Sequence, residues 1–147
     1  MLLIGTQNTG NQTVLTDGII SLGSVYRKYC KRANNGLPTF ASNGNSITLN
    51  EQGIYHITAT FVGAGTTAGT LTIQMLENGT AITGGISSET ITTVDTELRT
   101  FIIDRYILVD NTCLLGCNST LSKTISFENT GVGATFSNVV VNVDKVV

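Results

Sequence analysis

The segment Gly53-Ile54-Tyr55-His56-Ile57-Thr58-Ala59-Thr60-Phe61 constrains the fold more than any other part of the chain. Tyr55, Ile57, Ala59 and Phe61 recur at a period of two, with His56, Thr58 and Thr60 between them. A helix would scatter those four apolar side chains round its circumference, whereas a strand gathers them on one face. One face is therefore core. The other is polar but carries no fixed charge, which suits a surface partly shielded from water.

Val139-Val140-Val141 breaks the alternation by placing valine on both faces of a strand. Such a strand is buried from two sides. In a two-layer sandwich the second side must be covered from outside, and another subunit is the economical cover.

The rest of the chain fits many short strands. Ile19 to Tyr29 is rich in apolar and β-favouring residues, and Gly36-Leu37-Pro38 closes it. Ser46 to Leu49 and Gly53 to Val62 flank the turn residues Asn50-Glu51-Gln52. Gly63 to Gly69 reads as a loop. Thr70 to Leu76 and Thr80 to Thr83 flank Asn78-Gly79, the strongest short hairpin signal, because a type I′ turn needs positive φ at both central residues. Glu97 to Val109, Thr112 to Cys117, Leu121 to Phe127 and Thr135 to Val143 complete the set. Strands at this spacing without helical crossovers predict an all-β antiparallel sandwich. The polar residues 1–13 read as a short arm, and 14–147 as a single domain.

Composition excludes several classes. A chain of 147 residues with 41% hydrophobic and 12% charged residues buries a core and is not a disordered tail. A net charge of -2 gives no general reason to expect nucleic acid. No apolar run approaches the roughly 18–20 residues that span a bilayer, so no membrane contact is expected. Met1-Leu2-Leu3-Ile4-Gly5-Thr6 lacks a basic start and an apolar stretch of useful length, so no signal peptide is read and synthesis in a reducing cytoplasm is expected. Three cysteines, Cys30, Cys113 and Cys117, suggest buried thiols rather than a disulfide framework.

Ile47-Thr48-Leu49-Asn50-Glu51-Gln52-Gly53-Ile54-Tyr55 resembles the apolar strand, turn and Gly-apolar-Tyr signature of the tumour-necrosis-factor/C1q-like jelly-roll superfamily, which includes bacterial spore-surface and phage members. Gly69 to Gly79, with Leu-Thr-Ile-Gln ahead of Asn-Gly, is similar to that family's hairpin. Ala134-Thr135-Phe136 to Val143 resembles its last strand. The resemblance covers Val14 onward and implies a jelly-roll homotrimer. His56, Thr58 and Thr60 would then face the threefold axis, with one face of the run containing Val139, Val140 and Val141. Axis positions in cytokine members are typically apolar or aromatic, so His and Thr imply a wetter or register-shifted axis.

Candidate sites are few. His56 has no nucleophile or carboxylate placed beside it by the sequence, so no catalytic residue is expected; a structural role leads, with a pH-sensing or ion-binding histidine ring behind it. Cys113 and Cys117 lack a structural-zinc spacing, and neither metal nor cofactor is expected. Glu89, Asp95 and Glu97 resemble a calcium loop only loosely, and a solvated turn is favoured. Gly63 to Gly69 echoes a phosphate loop but has neither its Lys nor a following helix. Arg27, Lys28, Lys31 and Arg32 are half of the eight basic residues and form the docking candidate, for an acidic protein surface rather than nucleic acid.

These readings converge on a non-enzymatic structural protein of a phage virion, made in the host cytoplasm: a capsid decoration or head-fibre trimer contacting other virion proteins. The alternatives are a tail or baseplate receptor-binding tip, for which a host-surface glycan is the candidate ligand, and a secreted C1q/TNF-like ligand or carbohydrate-binding module.

Overall fold

The computed structural model describes residues 1–33, 36–110 and 122–147. In chain order its strands are β1 (Leu2–Asn8), β2 (Gln12–Val14), β3 (Gly18–Ile19), β4 (Ser24–Tyr29), β5 (Phe40–Ser42), β6 (Ile47–Leu49), β7 (Gly53–Gly65), β8 (Gly69–Glu77), β9 (Thr80–Ile91), β10 (Arg99–Val109), β11 (Lys123–Asn129) and β12 (Ala134–Lys145). The first sheet runs β10-β7-β12-β1-β4, with β2 also on β12. The second runs β5-β6-β11-β8-β9, with β3 on β11. Neighbours pair antiparallel, and the two sheets form a jelly-roll sandwich. Among the described residues there is no helix, and so none long and apolar enough to cross a membrane.

The alternation in β7 does what its period requires. Tyr55, Ile57, Ala59 and Phe61 are fully buried, while His56, Thr58 and Thr60 are half-buried on the opposite face. Between the sheets Phe61 meets Phe127 edge-on at 5.1 Å and Phe136 at 6.3 Å, and Phe40 meets Tyr55 at 5.8 Å. Each such ring contributes about 1.5–3 kcal/mol by leaving water. The Tyr55 hydroxyl donates to the Glu51 carbonyl at 2.5 Å. Burial, reinforced by the Glu51 charge, pushes this phenol up to about 12.

Asn78 and Gly79 join β8 to β9 with φ of 51° and 79°, the two positive values that a type I′ hairpin demands. The Gly63 to Gly69 loop is shorter than expected. β7 continues to Gly65 and β8 begins at Gly69, because Gly63 and Gly65 let Phe136 and Ile91 close directly over the strand. The expected Thr112 to Cys117 strand, with Cys113 and Cys117, lies outside the described residues. Cys30 is a half-buried free thiol packed against the core.

Two expectations need correction. Residues 1–13 are not an arm, since β1 is laced between β12 and β4 with Ile4 and Thr6 fully buried, and β2 pairs with β12. Leu2 to Asn8 becomes a strand because both of its hydrogen-bonding edges find partners. Nor do Val139 and Val141 face outward: with Val143 they are sealed inside the sandwich at 1%, 0% and 0% exposure. Only Val140 of that triplet lies on the outer face, opposite Thr60 and Gln7.

Candidate functional site: the outer face of the first sheet

Antiparallel register aligns side chains from four strands in rows on this face. One row runs Tyr106, His56, Asp144, Leu3, and ends at Tyr29 on β4. The next runs Asp104, Thr58, Asn142, Gly5 and Arg27, and a third runs Ile102, Thr60, Val140, Gln7. The sequence-predicted trio His56, Thr58 and Thr60 thus shares one face with Val140, though not with Val139 or Val141.

Within this face the groups are organised. The His56 ring lies against Tyr106, with centroids 4.8 Å apart and planes inclined by 25°. Its Nε2 is 2.6 Å from Asp104 Oδ1. The β1–β4 ladder shifts register between Gly5 and Thr6, and Tyr26 folds over Gly5 so that its hydroxyl donates to Asn142 Oδ1. Gly5 is needed there, because a Cβ would stand 2.6 Å from Tyr26 Cε1 and 2.7 Å from Asn142 Oδ1.

The sequence reading placed a strand over Glu97 to Val109 but missed the apolar outer face of β10. Ile102, Tyr106 and Leu108 point outward at 60%, 65% and 54% exposure, while Phe101, Ile103, Ile107 and Val109 are core. The signal was the one recognised in Val139 to Val141: consecutive apolar residues that load both faces of one strand. At one end of the face, Met1, His56, Asp144, Lys145 and Val146 line a pocket of about 340 Å³.

Beside that pocket Glu51 gathers charge from distant segments. Lys31 Nζ approaches it at 3.2 Å, Lys145 Nζ at 3.1 Å, and the Thr39 hydroxyl donates at 3.1 Å. Burial alone would raise the Glu51 pKa, but hydrogen bonds from Lys145, Lys31 and Thr39 together hold it below the usual value. Lys31 thus has an acidic partner although its side chain stays 60% exposed, so its charge is partly neutralised within the proposed docking cluster. Arg27 and Lys28, on the exposed edge strand β4, and Arg32 beyond it form no ion pair among the described residues.

The three acids considered for calcium do not gather. Glu97 accepts hydrogen bonds from the backbone N–H groups of Thr93 and Thr92 at 2.8 and 2.9 Å and from the Thr92 hydroxyl at 3.0 Å, and it pairs with Arg99. Those backbone donors hold its pKa down at about 2. Glu89 instead sits exposed in β9 opposite Leu71. Glu97 is a turn-former.

No protein-family model and no curated sequence matches the chain. Solved structures do. It is similar to Eiger TNF from S. frugiperda, with TM-score 0.66 and 7% identity over 100% of this chain and 94% of that one. It is similar to murine APRIL at pH 5.0, with TM-score 0.64 and 7% identity over 97% and 98%. The globular domain of zebrafish complement 1qA protein matches with TM-score 0.64 and 7% identity over 99% and 97%. The fold is the TNF/C1q-like jelly roll. At this identity the likeness is one of fold alone.

Proposed function

We propose that this chain is a non-enzymatic structural protein that assembles as a homotrimer through the outer face of the first sheet. The observation that carries the reading is the stripe of Ile102, Tyr106 and Leu108, exposed on the same face as half-buried His56, Thr58 and Thr60. Monomers seldom expose apolar patches larger than a few hundred Å², and here three large apolar side chains stand out along one strand, interrupted only by Asp104. The stripe lies on the β10 margin, and Tyr29, 65% exposed, lies on the opposite β4 margin. A threefold rotation that sets one margin against the next copy's face repeats a single heterologous contact and closes the ring.

We place the trimer on a phage particle, as capsid decoration or head fibre. Lys28 on the β4 edge and Arg32 beyond it, with Arg27 at the rim of the covered face, give it cations to steer it onto an acidic capsid surface, an attraction that speeds docking and weakens with salt. Two measurements test the reading. Light scattering should give three times the protomer mass at micromolar concentration, and a stable monomer overturns the assembly. Immunogold labelling of purified particles should mark heads. Label at tail tips favours receptor binding, and label on no particle overturns the virion assignment in favour of a ligand or carbohydrate-binding module.

A further inference from the structure

We propose that the association of this chain is proton-linked: acidification through the histidine range tightens the trimer, and His56 is the group that takes up the proton. The inference rests on the trimeric reading above and adds a control to the same face.

His56 is the chain's only histidine, so one imidazole per protomer titrates on this face. From β10 it is met by Asp104, at 2.6 Å, and by the ring of Tyr106. From β12 its direct cross-strand neighbour is Asp144. The pocket at its open side adds Lys145 and Met1, but the Lys145 amine is drawn to Glu51 at 3.1 Å. Two carboxylates thus flank the imidazole; Lys145 is drawn to Glu51, while the Met1 α-ammonium in the pocket and Arg27 at the far end of the neighbouring row are the other cations of this face.

In a free protomer this costs little, since water screens both carboxylates; the Asp104 side chain is 57% exposed. Covering the face with a second copy removes that water. With His56 neutral, the Asp104 and Asp144 carboxylates enter the contact without a cation between them, and a protonated imidazole supplies one at that point. Desolvation by itself acts the other way, favouring neutral imidazole. An opposite charge within about 4–6 Å outweighs it, shifting a titrating group by roughly 1–3 units toward its charged form. The assembled state therefore holds the proton more tightly than the free protomer. By linkage, association is strongest below the histidine range and is lost as pH rises through it. A threefold assembly takes up one proton at each of three sites, so association depends more steeply on pH than it would with a single site.

The test is a dilution series followed by sedimentation equilibrium, at constant ionic strength, between about pH 5 and about pH 8. The parent chain should associate at least about tenfold more tightly at the acidic end. His56→Gln should flatten that dependence, and Asp104→Asn should shrink it. Both positions are partly exposed, and melting curves of the variants should stay close to the parent's. The His56 ring resonance should titrate at higher pH in the trimer than in a monomeric Ile102→Lys variant. Trimers of equal strength at both ends, tightening towards alkaline pH, or a slope that persists in His56→Gln would each overturn the proton link while leaving the trimer standing. A monomer at every pH would overturn the trimer itself.

Discussion

The outer faces of the two sheets cover the same core in opposite ways. On the second sheet, polar side chains satisfy one another along the surface: Thr72 and Ser88 hydroxyls lie 2.8 Å apart, and Thr48 and Thr124 hydroxyls 3.2 Å apart. The Gln74 amide nitrogen lies 2.9, 3.0 and 3.1 Å from the backbone carbonyls of Met75, Ile82 and Gly85, which share its two N–H groups. On the first sheet, β10 turns Ile102, Tyr106 and Leu108 to the outside, and the single histidine is paired with a carboxylate there. Both inner faces contribute fully buried apolar side chains, among them Phe61 and Phe136 from the first sheet and Phe127 and Ile73 from the second, so the core does not account for this difference. Ile86, 51% exposed opposite Gln74, is the second sheet's apolar exception, and the proposed assembly accounts for the stripe on the first.

Charging each face in turn breaks the comparison most sharply. Ile102→Lys should weaken association by about 100-fold or more, because it carries an unpaired ammonium into the contact, whereas Thr72→Lys should leave the mass by light scattering unchanged. Equal dissociation by both would erase the distinction between the faces. Gly5→Val should cost about 1–3 kcal/mol in a denaturant titration, since the new side chain meets Tyr26 and Asn142 and must push the phenol off the first sheet. Gly79→Val in the second-sheet hairpin should cost about 1 kcal/mol. No atom lies within 4 Å of its Cβ position, so the penalty is that of holding a β-branched residue at positive φ. The smallest effect is expected for Thr72→Ala, which removes one surface hydrogen bond worth about 1 kcal/mol or less and should barely move the melting temperature.

What the sequence disclosed was whatever depends on neighbours a few residues away. The alternation from Tyr55 to Phe61 named four fully buried side chains, and Asn78-Gly79 named its own turn, because period and φ are local properties. Long-range pairing was not legible. Nothing in Leu2-Leu3-Ile4-Gly5-Thr6-Gln7-Asn8 announces a partner at Val139 to Lys145, and so a strand read as an arm. The Val139 to Val141 triplet correctly signalled that both faces of the sheet take apolar residues. Only the register shows that Val140 alone of the triplet looks out and that β10 adds Ile102, Tyr106 and Leu108 to the outer face. Lys31 is a similar case: its engagement with Glu51 depends on a fold that brings residues 31, 51 and 145 to one corner.

The place of β12 in the first sheet also sets an order of events during synthesis. It is the strand to which β7, β1 and β2 are all hydrogen-bonded, so the middle of that sheet has no template until residues 134–145 have emerged from the ribosome. The β8–β9 hairpin and the β7–β10 pair join segments closer in sequence and can zip earlier. In the interval β1 waits with its β12-facing edge bare, and a bare edge pairs with whatever strand arrives first, including β12 of another nascent copy. A chain translated on crowded polysomes is thus exposed to strand exchange at its first and last strands. Slow elongation through β12 would lengthen that exposure.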